Sequence, residues 1–135
     1  NDTPVGEFSV TDNKWEWLEL VGDVYGKYIT QFYGDYLFHS VPYKYSENNT
    51  LLPDEYLKLG QNASHGCVRL CVRDAKWIYD NCEPGTPVVI YDDAEHPGPI
   101  EPQRLPDMKI FKESTDNVWD PTDPDQDNPW RGKLI

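Results

Sequence analysis

The run Ser64-His65-Gly66-Cys67, together with a second histidine far upstream at His39, holds the residues best equipped for chemistry. In an extended segment positions i and i+2 share a face, so His65 and Cys67 would point the same way, while Gly66 lets the backbone approach a ligand closely. A thiol attacks as its thiolate, so a working cysteine needs an imidazole to take its proton, and either His65 or His39 offers one. If the chain turns here, the backbone N–H groups around Gly66 and Cys67 are free to meet negative charge developing on an attacked carbonyl oxygen. Two other readings of Cys67 stay open on these residues alone: a small buried hydrophobe, or one corner of a metal site. A closed zinc site is poorly served, because His65 and Cys67 are two ligands and no C-x-x-C or H-x-x-x-H supplies a second pair. No metal and no cofactor is expected.

The elements that must position these residues are mostly strands. Up to residue 38 the chain mixes β-branched and aromatic residues with glycines at breaks, and "KYITQFYGDYLF" has a period near two before Gly34-Asp35 makes a hairpin turn. Residues 41–63 are polar, with Pro42, Asn48, Asn49 and Pro53, and read as a long functional loop or lid with a short helical turn near residues 54–59. The segment "VRDAKWIYDN" places Val72, Ala75, Ile78 and Tyr79 at helical spacing, with Asp74 in the first turn and Pro84-Gly85 beyond the end. "TPVVIYDD" follows as a buried strand. Trp15, Trp17 and Trp77 are expected as core anchors, and His96, among prolines and acids, as a solvent-facing residue.

Beyond Asp93 the pattern decays into proline-rich, acidic sequence that reads as a tail lying on the surface or loose, with Trp119 and Trp130 available to clip it to the domain. The acids of "DPTDPDQD" are spaced loosely like a calcium loop, but prolines alternate with them and neither a glycine turn nor a terminal glutamate follows, so no metal is assigned there.

The chain has 135 residues, enough for one core of two packed layers. Twenty-four acidic against twelve basic residues give a formal charge of −12, which repels nucleic acid and anionic membrane surfaces. No run of about eighteen apolar residues suits a membrane span, and no signal peptide is visible. The three cysteines, Cys67, Cys71 and Cys82, leave at least one thiol free. A helix between Cys71 and Cys82 would hold them about 16 Å apart, too far for a disulfide, so all three are expected to be reduced.

"SHGCVRL" resembles the signature of the L,D-transpeptidase catalytic domain, the YkuD-type family: an upstream histidine, a spacer, then Ser/Thr-His-Gly-Cys, a hydrophobic residue and Asn or Arg. "TPVGEF", "FHSVPY" and "DAKWIYDNCEPGTPVVIY" are similar to further family segments in their expected order, over about residues 3–92. The resemblance implies a mainly β domain, a β-sandwich or barrel with one helix after the nucleophile. It implies a catalytic domain over residues 1–93 and a proline-rich acidic tail over 94–135.

It also implies an enzyme of the bacterial cell envelope. The thiolate attacks the L,D bond of a peptidoglycan tetrapeptide stem, releases D-Ala and passes the acyl group to the amine of a neighbouring stem, making a 3→3 cross-link. Carried across, Cys67 is the nucleophile and His39 its base, oriented through a serine or a backbone carbonyl, with Ser40 and Ser64 as candidates. His65 shapes the pocket, Gly66 and Cys67 give oxyanion donors, and Arg69 can hold a substrate carboxylate. The implied partners are stem peptides, with carbapenem-type β-lactams as inhibitors, no nucleic acid, no integral membrane segment, and a monomeric protein.

Three departures from the family pattern keep alternatives open. Twenty-four residues separate His39 from Ser64, a longer spacer than usual, which reads as an enlarged lid and leaves His65 as an alternative base. Position 69 is Arg rather than Asn. The family's strands before T-P-x-G-x-F are not in the sequence as given: either they have been lost ahead of Asn1 or the sheet is smaller, and a truncated sheet would expose an unpaired edge. An L,D-carboxypeptidase would share every motif, and a non-catalytic wall-binding module would share the fold.

Overall fold

The computed structural model describes residues 5–59, 67–91 and 118–130. Strand β1 (Gly6–Ser9) pairs antiparallel with β6 (Pro87–Ile90) in a two-stranded sheet. The other sheet has the order β2 (Lys14–Leu20), β3 (Val24–Tyr33), β4 (Tyr36–Ser40), β5 (Val68–Leu70). Helix α1 (Pro53–Tyr56) lies in the crossover between β4 and β5, and α2 (Val72–Asn81) follows β5 directly. The architecture is mainly β, as the sequence leads one to expect, with one long helix after Cys67 and one four-residue helix before it.

Local chemistry explains the hairpins. β2 turns into β3 through Gly22 at φ +96° and Asp23 at φ +59°, a left-handed pair that glycine and aspartate tolerate. β3 turns into β4 through Gly34 at φ +50° and Asp35, with Tyr33 opposite Tyr36. β4 and β5 run parallel, which no tight turn can achieve, and the long crossover is the topological consequence.

The crossover is not the lid that its prolines and asparagines suggested. Val41, Tyr43, Leu51 and Tyr56 are buried and form one cluster with Cys71, Val72 and Val118, with Trp17, Tyr25, Tyr28 and Trp130 packed around it. Tyr43 bridges two segments, exchanging backbone hydrogen bonds with Tyr25, and its ring meets Trp17 edge to face at 5.0 Å. Apolar residues spaced at 41, 43, 51 and 56 follow no single period, so the pattern concealed a core segment.

Two tryptophans also differ from expectation. Trp77 is 61% exposed because α2 turns its Val72–Ala75 face to the sheet and position 77 falls on the opposite side, and Trp15 is 37% exposed on β2, the outermost described strand of its sheet. The segment 118–130 is neither superficial nor loose. Val118, Asp120, Asp123 and Asn128 are buried, Val118 bridges Thr50, and Trp130 packs on the core. Its acidic oxygens face protein groups: Asp123 and Asp125 accept the amides of Asp125 and Asp127, and Asp123 lies 3.5 Å from the Lys27 ammonium. His96 lies outside the described residues.

If the crossover is core, Leu51→Ala costs about 2–5 kcal/mol in urea denaturation, as for other buried leucines. Trp77→Ala on the exposed face should change stability by no more than about 0.5 kcal/mol. A Leu51→Ala loss as small as that of Trp77→Ala would contradict the packing described.

Candidate functional site

His39 stands on β4, a strand flanked on both sides by neighbours. Gly26 on β3 makes room for it: a Cβ at position 26 would lie 3.5 Å from the His39 Cβ and 3.0 Å from a Leu20 methyl. The ring is buried, and its Nδ1 lies 2.5 Å from the Ser40 carbonyl oxygen. A carbonyl only accepts, so Nδ1 carries the proton and Nε2 is left with a lone pair. Ser40 therefore meets the histidine through its backbone, while its hydroxyl accepts the Lys27 N–H at 2.8 Å and donates to the Val41 carbonyl.

The parallel register of β4 and β5 sets His39 opposite Arg69, with Phe38 opposite Val68. Paired residues share a face of the sheet, and Cys67 precedes Arg69 by two positions at the entry to β5. The thiol is half-buried. It donates to the Asp35 carbonyl at 3.5 Å and receives a hydrogen bond from the backbone of Leu37. These two partners, at the tip of the β3–β4 hairpin, were not visible in the sequence, because main-chain groups leave no signature in residue type. Cys71 and Cys82 are also free thiols, and Cys71 is buried.

Burial, reinforced by the Arg69 charge and opposed by the Ser40 bond, lowers the His39 pKa to about 4. Burial also raises the Cys67 thiol above its ordinary value, with Asp35 adding to the rise and the Leu37 bond and Arg69 opposing it. The two shifts together favour a neutral thiol and a neutral imidazole at rest. Such a pair suits general-base chemistry, in which the proton moves as the sulfur attacks, rather than a standing thiolate–imidazolium pair.

Arg69 donates from Nη1 to Glu55 of α1 at 2.6 Å, while its buried Nε has no hydrogen-bond partner among the described residues. Glu55 also bonds Lys58, and against the penalty of burial these two cations hold its carboxyl below the usual range. The family resemblance implies a substrate carboxylate for Arg69, and in the structure its guanidinium already meets the carboxylate of Glu55. Ser64, His65 and Gly66 lie outside the described residues. Among the described residues no three His, Cys, Asp or Glu side chains come together to hold a metal ion.

Residues 1–90 match the L,D-transpeptidase catalytic domain family, YkuD. The chain is 42% identical over 91 residues to a Bacillus subtilis (strain 168) protein named "Putative L,D-transpeptidase YciB", covering 65% of this chain and 46% of that one. Among solved structures, it is similar to a fused Zn-dependent amidase/peptidase/peptidoglycan-binding domain-containing protein from Clostridium acetobutylicum ATCC 824. That match has 40% identity, covers 67% of this chain and 34% of the other, and has a TM-score of 0.49. An L,D-transpeptidase from Stackebrandtia nassauensis aligns at 20% identity and TM-score 0.48, over 69% of this chain and 40% of that one. The chain belongs to the L,D-transpeptidase catalytic domain family. It spans less than half the length of each of these relatives.

The depressed histidine has a consequence for stability. Between about pH 4 and 6.5 the unfolded chain binds a proton at His39 that the folded chain refuses. Stability from this group is therefore complete above about pH 6.5 and falls as pH drops toward 4, by up to about 3 kcal/mol. Comparing unfolding free energies of the parent and His39→Gln at pH 7 and pH 4 isolates this component, since Gln removes it. Parallel pH courses for the two proteins would show that His39 titrates normally.

Proposed function

We propose that the domain is a cysteine acyltransferase that cross-links peptidoglycan stems. Cys67 attacks the carbonyl of the third stem residue as Nε2 of His39 takes the thiol proton. The tetrahedral intermediate expels the D-Ala amine, which receives that proton back from His39, and a thioester remains on Cys67. The amine of a neighbouring stem then attacks the thioester and restores the thiol, giving a 3→3 link. Membership of the family supports this reading, and the observation that carries it is the β4–β5 register. That register sets a buried, neutral imidazole with a fixed tautomer on the sheet face toward which Cys67 leads.

In this mechanism Ser40 orients His39 through its carbonyl, and Gly66 and Cys67 supply backbone N–H donors to the oxyanion. Arg69, anchored by Glu55, presents its Nε–H, which meets no acceptor among the described residues, to a substrate carboxylate or carbonyl. His65 shapes the pocket. The catalytic domain runs over residues 1–93, with the proline-rich segment 94–135 after it, working as a monomer in the bacterial cell envelope. No described helix is long and apolar enough to cross a membrane.

A carbapenem traps such a nucleophile as a stable acyl-enzyme. Intact-mass spectrometry should show one covalent adduct, located at Cys67, on the parent chain and none on Cys67→Ala. His39→Ala should slow its formation by about 10²-fold or more, the usual worth of a general base. Purified tetrapeptide, with and without an acceptor amine, separates transpeptidase from carboxypeptidase by its products. A folded parent chain that forms neither adduct nor product would favour the wall-binding module.

A further inference from the structure

Helix α2 starts immediately after the strand that Cys67 leads into, and its first amides need acceptors. The N-cap residue, Cys71, gives the helix no side-chain cap hydrogen bond. The acceptors come from the far end of the chain. Asp120 Oδ2 accepts the Val72 N–H at 2.9 Å, and Thr122 Oγ1 accepts the Arg73 N–H at 3.1 Å. Asp120 Oδ1 in turn accepts the amide and the hydroxyl of Thr122 at 2.7 and 2.6 Å. The carboxyl is fully buried at the positive end of the helix, and burial, with the Asp123 charge adding to it, pushes its pKa up against the pull of the Thr122 and Val72 hydrogen bonds.

The segment bearing Asp120 is itself tied down on several sides. Asn128 Nδ2 donates to the carbonyls of Asp120 and Asp123, closing the loop on itself. The Val118 carbonyl accepts the Leu51 N–H at 3.1 Å. The buried Lys27 ammonium reaches both Asp123 and Asn48 Oδ1, and lies 5.3 Å from the Trp17 ring centre and 4.9 Å from that of Tyr28. Lys27 belongs to β3, and its own N–H is the group that holds the Ser40 hydroxyl beside His39. None of residues 118–130 falls in the stretch matched by the family.

We propose that Asp120 is a positioning residue for Cys67, acting as the N-cap of α2 from a distant strap. β5 has three residues between Cys67 and Cys71 and, among the described residues, lies at the edge of its sheet with β4 as its one strand neighbour. Its lateral place is set by that ladder, and its place along the strand by the anchored start of α2. A strand transmits displacement stiffly, so loosening the Val72 and Arg73 amides moves the thiol relative to His39 across four residues of extended chain. The chemical consequence rests on the assignment of Cys67 as nucleophile; the structural one does not.

The test uses the full chain and Asp120→Ala, with Asp120→Asn as the conservative variant that retains an accepting oxygen. Val10→Ala, at a buried position whose backbone pairs with Gly85 and Thr86 beyond the far end of α2, serves as a destabilised control that leaves the cap untouched. At a temperature where all are folded, Asp120→Ala should acylate with a carbapenem about tenfold more slowly, the scale of a sub-ångström to ångström misplacement. Its Val72 and Arg73 amides should exchange hydrogen faster. Asp120→Asn should recover most of the rate, and Val10→Ala should keep it. An Asp120→Ala rate equal to the parent's, an equal slowing in Val10→Ala, or no recovery in Asp120→Asn would each overturn the proposal.

If Asp120→Ala does not fold, Thr122→Val takes its place: slower acylation with faster Arg73 exchange supports the strap, and parental values refute it. If the parent chain forms no carbapenem adduct, the assigned function has failed rather than the strap. Iodoacetamide alkylation of Cys67, followed by peptide mass, then decides by the same comparison: an altered Cys67 rate with faster exchange supports it, and unchanged values refute it.

Discussion

One hydrogen bond, from Nδ1 of His39 to the carbonyl of Ser40, is the constraint around which the site is arranged. It decides which ring nitrogen carries the proton and so which one can accept another. The ring and the carbonyl it meets belong to adjacent residues of β4, a strand held between two others, and Gly26 leaves space on one side. Lys27 and Val41 engage the Ser40 hydroxyl, so that the serine serves the histidine through its main chain and the framework through its side chain.

Burial sets the electrostatics that follow. It costs the imidazolium its hydration and the thiolate part of its own, and both groups respond by favouring their neutral forms. Arg69 pulls in one direction for each partner, lowering the histidine further and easing ionisation of the thiol. In the proposed mechanism the pair is quiet until a carbonyl arrives, and the charge appears only in a site prepared to receive it. Glu55 then has a clear part: it keeps a half-buried guanidinium from standing as an uncompensated charge beside the imidazole.

The sequence was most legible where structure is local. Period-two strands, the Gly34-Asp35 turn, and the face formed by Val72 and Ala75 on α2 are all written in neighbouring residues, and all are present. His39 and Cys67 were singled out by a motif rather than a period, as candidates for the proposed chemistry. What the sequence hid depends on partners distant along the chain. Tyr43, Leu51 and Tyr56 looked like loop residues because their core partner Val118 and neighbour Trp130 lie some sixty to ninety positions on. Asp120 looked like one acid among many, since nothing adjacent to it tells that its oxygen meets the amide of Val72. Trp77 looked like core by composition, yet helix phase places it outside.

The proton's position on His39 can be observed directly by nitrogen-15 NMR of the imidazole rings from pH 8 down to pH 4, with the His39→Gln spectrum assigning the signals. A neutral ring bearing its proton on Nδ1, persisting until the pH approaches about 4, is the predicted result. A ring already doubly protonated near neutral pH, or one bearing its proton on Nε2, would contradict the tautomer and the burial on which the site depends.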